Sequence, residues 1–150
     1  MLIDKSLEFT SGAALATATG RALVGDVIPL TVARDIGNMP SGMPMYLVVL
    51  VTAAVTSAGA ATVQFELVSD AQAAIAVDGS ATVHAASAAI GKADLVAGYS
   101  LAIPLPLEGP AYETYLGLIS NVGTAALTAG SIQAFITSDV QKWKSYADAL

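Results

Sequence analysis

The chain has 150 residues, no cysteine, one histidine and a formal net charge of −6. This length fits a single domain that can bury its own core without disulfides. The absence of cysteine excludes thiol catalysis and cysteine-based metal sites, and one histidine is too few for a metal site built from several histidines. The acidic balance argues against a basic surface for nucleic acid.

The charge density of the surface is low. Charged residues make up 12% of the chain and hydrophobic residues 55%, whereas an average soluble domain has roughly 25% charged residues. We interpret part of the surface as covered by other protein. Small apolar residues scattered singly over a monomer would give the same composition.

Neither a secretion signal nor a membrane span is expected. Asp4, Lys5 and Glu8 interrupt the N-terminus, where a signal peptide needs an unbroken apolar core. The densest apolar stretch, residues 45–55, has about half the length that a membrane-spanning helix requires.

The first 26 residues are rich in alanine, threonine, serine and glycine. We predict an extended N-terminal arm, or a short edge strand that begins near residues 7–9, because glycine and threonine disfavour a helix. From Val27 onward, apolar residues recur with the period of two that is typical of strands. The predicted strands cover residues 27–32, 46–51, 61–68, 80–86, 101–107, 113–120 and 131–137.

Two of these strands contain proline and are therefore predicted at sheet edges, because proline cannot donate a ladder hydrogen bond. They are the strand with Pro29 and the strand with Pro104 and Pro106. The tail, residues 138–150, has apolar residues at helical spacing, which predicts a short C-terminal helix.

Short strands separated by turn signals, without a long helix, predict an all-β fold. We expect an antiparallel β-sandwich or jelly roll formed by residues 27–150, preceded by an arm or edge strand over residues 1–26. No internal repeat or low-complexity linker divides the chain.

Patterns for catalysis and cofactor binding are missing. The chain has no Gly-x-Ser-x-Gly motif, no complete phosphate-binding loop and no calcium-binding loop. His84 could be a general base or a metal ligand, but a partly exposed histidine with a hydrogen bond on a sheet surface is the simpler interpretation. We therefore expect no enzyme, no catalytic residue, no cofactor and no metal.

The aromatic residues leave three interpretations open. Tyr112 with Tyr115, or Trp143 with Tyr146, could stack on a sugar, anchor a protein interface or fill the core. A sugar platform would make the protein a carbohydrate-binding or adhesin-like module, which is the alternative function.

Seven sequence blocks follow one another in a defined order. They are Val32-Ala-Arg-Asp-Ile-Gly37, Met45-Tyr-Leu-Val-Val49, Ala60-Ala-Thr-Val-Gln-Phe-Glu-Leu-Val-Ser-Asp70, Leu95-Val-Ala-Gly98, Ile103-Pro-Leu-Pro106, Tyr115-Leu-Gly-Leu118 and Thr128-Ala-Gly-Ser-Ile-Gln-Ala-Phe-Ile-Thr-Ser-Asp139. In this order they resemble the small capsid cement, or decoration, proteins of tailed bacteriophages, particularly the Bordetella-phage-type group.

The resemblance implies a noncatalytic jelly-roll protein on the outer capsid surface of a virion assembled in the host cytoplasm. Its implied partners are the phage major capsid protein and further copies of itself, as a homo-oligomer in which a dimer is favoured over a trimer. Neither nucleic acid nor a membrane is an expected partner. A tail or head–tail joining component of the virion is a further alternative.

We expect self-association and capsid contact at the apolar strand over residues 46–51, at the methionine-containing loop before it and at the chain ends. Flexible methionine side chains suit adaptable contact surfaces. The candidate residues are Phe9, Arg21, Met43, Met45, Tyr46, Trp143 and Tyr146.

Overall fold

A computed structural model describes residues 3–30, 44–106 and 108–140. Within these ranges the chain forms nine strands, and a 3₁₀ turn, Lys5–Leu7, precedes the first of them. The strands are β1 (Glu8–Ala14), β2 (Gly20–Pro29), β3 (Tyr46–Thr56), β4 (Thr62–Asp70), β5 (Thr82–Ala86), β6 (Ile90–Gly91), β7 (Ser100–Pro104), β8 (Tyr115–Gly123) and β9 (Ala129–Thr137).

The strands form two antiparallel sheets that pack as a sandwich. Sheet 1 has the order β1-β9-β3-β7, and sheet 2 has the order β2-β8-β4-β5, with the short β6 also paired to β4. Most connections cross from one sheet to the other, as in a jelly roll with two Greek keys. The predicted fold class is confirmed.

The core lies between the sheets because the central strands turn alternate residues inward. In β4, Val63, Phe65 and Leu67 are fully buried, as the alternation over residues 61–68 predicts. In β3, Leu47 and Val51 face them from the other sheet and belong to the same hydrophobic cluster. β3 is an interior strand of sheet 1, between β9 and β7.

The N-terminal residues are part of the sandwich. β1 is an edge of sheet 1 and β2 is an edge of sheet 2, and the Phe9 side chain is fully buried in the core. Of the two interpretations of the N-terminal residues, an extended arm or an edge strand, the structure supports the edge strand. The predicted boundary between residues 26 and 27 falls inside β2, so residues 8–26 do not form a separate arm.

The predicted C-terminal helix lies largely outside the described residues, and residues 138–140, which are described, are not helical. In the described part of the chain, no helix has the length and apolar character that a membrane crossing would take.

Three edge strands, β1, β2 and β5, are irregular, and the fourth, β7, is short and ends at a proline. β2 ends at Pro29 and shifts register between Val24 and Ile28, and β7 ends at Pro104. β1 and β5 also shift register against their neighbours. Because a regular, unpaired edge is the usual template for adding another strand, these interruptions disfavour association by edge pairing.

One side of the sandwich is closed by a close approach of β1 and β2. Gly25 in β2 has a φ of +69°, and a Cβ atom there would overlap the carbonyl group of Phe9 and come within 2.8 Å of Thr10 Cβ. Both the backbone conformation and the lack of space require glycine at this position.

The outer face of sheet 2 is covered in part by the loop of residues 71–81. Ile75 and Ala81 from this loop form a second buried cluster with Val68 and Ile119 of the sheet. Gly117 leaves the space that the Ile75 side chain fills. The loop is therefore packed onto the sheet.

Candidate functional site

The only histidine lies at an irregularity of β5. The register of β5 against β4 shifts between Leu67 and Val68, so His84 is an extra residue in its strand, as in a β-bulge. Its Nε2 atom lies 2.7 Å from the Ser69 Oγ atom in a hydrogen bond. The imidazole also stacks on the Tyr112 ring, with 4.0 Å between ring centroids and an angle of 20° between the planes.

Further hydrogen bonds connect this group to the loop between β7 and β8. The Glu113 backbone N–H donates to Ser69 Oγ over 3.1 Å, and Thr82 Oγ1 donates to Glu113 Oε1 over 2.7 Å. The Tyr112 hydroxyl donates to the Pro106 carbonyl over 3.1 Å. We call His84, Ser69, Thr82, Tyr112 and Glu113 the His84 cluster. It fixes the loop against β4 and β5.

A serine hydroxyl that is hydrogen-bonded to a histidine is also the arrangement of a nucleophile and its base. Here, however, Ser69 is fully buried, so a substrate could not approach its oxygen in this conformation. Among the described residues, no carboxylate is hydrogen-bonded to His84, as an orienting group would be. The geometry favours a structural role, in agreement with the simpler interpretation of His84.

Burial shifts two pKa values in the cluster. It lowers the pKa of His84 below its usual 6.5, although the negative charge of Glu113 acts in the opposite direction. Burial also raises the pKa of the Tyr112 hydroxyl. Both side chains therefore favour their neutral forms in the folded protein.

The lowered pKa of His84 predicts a loss of stability in mild acid. The unfolded chain binds the proton more tightly than the folded protein, so the free energy of unfolding should fall as the pH drops through about 6.5. The lowered pKa values of Asp70 and Asp78 act only in stronger acid, around and below their usual 3.8.

Urea denaturation at several pH values between 8 and 5 would measure this slope. The His84→Gln variant should show a smaller decrease over the same range, because glutamine does not titrate. An equal slope in the variant and the natural sequence would contradict the assignment.

Of the predicted contact residues, the four that the structure describes do not lie on one common surface. Phe9 and Met45 were expected to be contact residues. In the folded monomer they are core residues, with 0% and 5% of their surfaces exposed. Arg21 forms an ion pair with Glu66 on the outer face of sheet 2. Tyr46 is half-buried at the start of β3. The remaining three, Met43, Trp143 and Tyr146, lie outside the described residues.

Tyr112 and Tyr115 do not form a common sugar-binding platform. Tyr112 packs against the main core and stacks on His84, whereas Tyr115 packs against the second cluster on the outer face of sheet 2. The pair Trp143 and Tyr146 lies outside the described residues.

Charged residues are unevenly distributed between the loops at the two ends of the sandwich. Three loops meet at one end, residues 15–19, 57–61 and 124–128, and none of these three contains a charged residue. The turn after β6 lies beside them, and its Lys92 is bonded to the Ala61 and Ser57 carbonyls and is followed by the exposed Asp94. We call these three loops the uncharged end. The opposite end holds the loops of residues 71–81 and 105–114, where four carboxylates lie in the loops or directly beside them: Asp70, Asp78, Glu108 and Glu113.

The loops of the uncharged end are bonded to one another. The Leu127 N–H donates to the Thr17 carbonyl over 2.8 Å, and the Thr128 N–H donates to the Thr56 carbonyl over 2.7 Å. The Ser57 hydroxyl donates to the Ala126 carbonyl. This end of the molecule is therefore preformed by contacts between loops that are distant in sequence.

The exposed side chains at the uncharged end are small. They are Thr17, Ala18, Thr19, Ala58, Ala60, Thr124, Ala126 and Thr128. Alanine and threonine lose little side-chain entropy when they are covered, and covering them removes no ionic group from water. The low overall charge is visible in the sequence, but this surface is not, because the three loops meet only in the folded chain.

The fold and this surface define the class of the protein: an antiparallel jelly-roll domain with a preformed, uncharged end. A family model named Bbp16 matches residues 9–136, and so the chain belongs to the Bbp16 family, which is associated with phages. The match begins in β1 and ends in β9, and so covers the sandwich except for the first residue of β1 and the last residue of β9. No curated protein matches the chain. The association with phages that the sequence resemblance implies is confirmed.

Proposed function

We propose that this protein is a noncatalytic structural component of a phage virion, which binds the outside of the icosahedral head and cements neighbouring major capsid subunits. Membership of a phage-associated family supports the association with a phage. The observation that carries the attachment to protein is the uncharged end, a preformed surface of small residues at one end of an otherwise acidic domain.

Charge segregation also suggests the orientation of the bound protein. The uncharged end faces the shell, because its three loops contain no ion that would lose its water, and the neighbouring Lys92 ammonium is already bonded to the Ser57 carbonyl. The end with Asp70, Asp78, Glu108 and Glu113 faces water, where carboxylates are well solvated and keep the decorated particle soluble.

Cementing follows from the number of copies. An end formed by three loops offers a modest contact area, but simultaneous engagement of several sites on a lattice raises the effective concentration. A protein that binds only the assembled shell stabilises it by mass action. Self-association, as a dimer in preference to a trimer, would add to this avidity. We expect it through sheet faces or loops, because the edge strands β1, β2 and β5 shift register and β7 is short and ends at a proline.

The test is to mix the purified protein with heads of its phage that lack it. We expect saturable co-sedimentation with the heads, and an increase in the temperature at which the heads release their DNA. Heads that already carry the protein are the control, and they should bind no more of it. If the protein ignores undecorated heads but binds tails or glycans, the proposal is wrong.

A further inference from the structure

The loop of residues 71–81 has an exposed turn between two buried side chains. Ile75 and Ala81 are 6% and 7% exposed, and both pack on the outer face of sheet 2. Residues 77–80 between them are exposed. They include Asp78 followed by Gly79, and no other aspartate in the chain is followed by glycine. The turn therefore places a solvent-exposed carboxyl group next to the least hindered peptide bond that can follow it.

The Asp78 carboxyl group is folded over the peptide that follows it. Its Oδ1 atom accepts the Ser80 backbone N–H over 2.9 Å and the Ser80 hydroxyl over 2.7 Å. Because Ser80 is two residues further along the chain, these bonds hold the carboxyl group over the Gly79 peptide unit, as in an Asx turn. The carboxyl carbon is thereby kept near the Gly79 nitrogen.

The Gly79 nitrogen is accessible. Gly79 has a φ of +99°, and its N–H donates no hydrogen bond among the described residues. The exposed Asp94 differs in this respect, because the N–H of the next residue, Leu95, donates to the Lys92 carbonyl over 3.2 Å. The Leu95 side chain is also fully buried. Asp94 is therefore a matched internal control for Asp78.

We propose that Asp78 is a site of spontaneous isomerisation to isoaspartate. The Gly79 nitrogen attacks the carboxyl carbon of neutral Asp78 and forms a C–N bond. The C–OH bond breaks, and the hydroxyl group leaves as water with the proton of the N–H. Water then opens the cyclic imide. Addition at the side-chain carbonyl restores aspartate, whereas addition at the main-chain carbonyl gives isoaspartate, so the mass of the protein does not change.

Isomerisation alters the loop between its two buried side chains. In isoaspartate the main chain runs through the Cβ and Cγ atoms of residue 78, and the former main-chain carboxyl group becomes the side chain. The Asx turn on Ser80 is lost, because the atoms that formed it are now part of the main chain. Since Ile75 and Ala81 are held by sheet 2, the added length distorts the turn and weakens the packing of the loop on the sheet.

The groups around Asp78 set the pH dependence of the reaction. The hydrogen bonds from Ser80, and to a smaller extent the positive charge of Arg21, hold the pKa of Asp78 below its usual 3.8. The Asp70 carboxylate at the start of the loop has the opposite sign to Arg21 and interacts with Asp78. Because the neutral carboxyl group is the reacting form, isomerisation should be faster at pH 5 than at pH 8. Ser80→Ala, which removes the hydroxyl donor, should accelerate it.

Storage of the intact folded protein for several weeks tests the proposal. Peptide mass spectrometry with electron-transfer fragmentation distinguishes isoaspartate from aspartate and quantifies it at each position. We expect isoaspartate at Asp78 to exceed that at Asp94 at least several-fold in the same sample. Asp78→Glu keeps the charge but requires a larger ring, and it should abolish the product. In the isomerised fraction, hydrogen exchange of the Ala76 N–H, which donates to Asp70 Oδ2, should be faster.

Two results would overturn the proposal. The first is an equal and low level of isoaspartate at Asp78 and Asp94 in protein whose fold has been checked by circular dichroism. The second is isoaspartate that forms at Asp78 only in urea-unfolded protein, which would mean that the folded turn prevents the reaction. None of these measurements involves phage heads, so their outcome is independent of the cementing function.

Discussion

Two glutamates at the uncharged end are expected to weaken binding to phage heads at least about tenfold, equivalent to about 1.4 kcal/mol. The substitutions are Ala58→Glu and Ala126→Glu, at exposed positions in two of the three loops. If this end faces the shell, both carboxylates lose their water on binding and gain no partner of opposite charge. An unpaired charge in an interface is costly. Co-sedimentation with undecorated heads over a range of protein concentrations measures the effect.

The matched control places the same charge at the opposite end. Ala71→Glu with Ala73→Glu adds two carboxylates to the exposed part of the loop of residues 71–81, so the net charge changes equally. This pair should leave binding nearly unchanged. An equal loss in both double variants would mean that long-range repulsion, and not the contact surface, was changed. No loss in the first pair would exclude the uncharged end as the attachment surface.

Replacement of Gly25 by alanine is expected to lower the free energy of unfolding by about 3 kcal/mol, because a left-handed conformation and an overpacked contact add together. Gly25 has a φ of +69°, and its new Cβ would overlap the Phe9 carbonyl group, which is backbone and cannot rotate away. β1 would have to move relative to β2. Urea denaturation followed by circular dichroism measures the change.

Gly98→Ala separates the two contributions. Gly98 has a φ of +90°, and a Cβ there would meet no atom within 4 Å, so only the conformational cost of about 1 kcal/mol is expected. If both variants lose the same stability, the close approach of β1 and β2 contributes nothing, and the closed side of the sandwich is looser than the structure indicates.

Local chemistry was enough to predict most strands. Alternation in β4 places Val63, Phe65 and Leu67 in the core, since side chains on a strand alternate between faces whatever the strand pairs with. The edge positions of β2 and β7 could be predicted from Pro29 and Pro104, because the missing N–H is a property of the residue itself.

The N-terminal strands were only partly predictable. β1 and β2 contain many small residues and shift register, which obscures the period of two. Phe9 is a core residue and not a contact residue, because β1 pairs with β9, more than a hundred residues later in the chain. No local pattern reports such a pairing.

The sequence by itself determined the all-β class, the low charge of the chain and the absence of recognisable catalytic motifs, since these depend on residue type and short-range spacing. Only the tertiary structure decided which groups meet. Ser69, His84 and Glu113 form one cluster through hydrogen bonds, and three uncharged loops form one surface through bonds such as that from Leu127 to Thr17. The physical reason is that strand pairing and sheet packing, which bring together distant residues, are set by the burial of the whole core and not by any single segment.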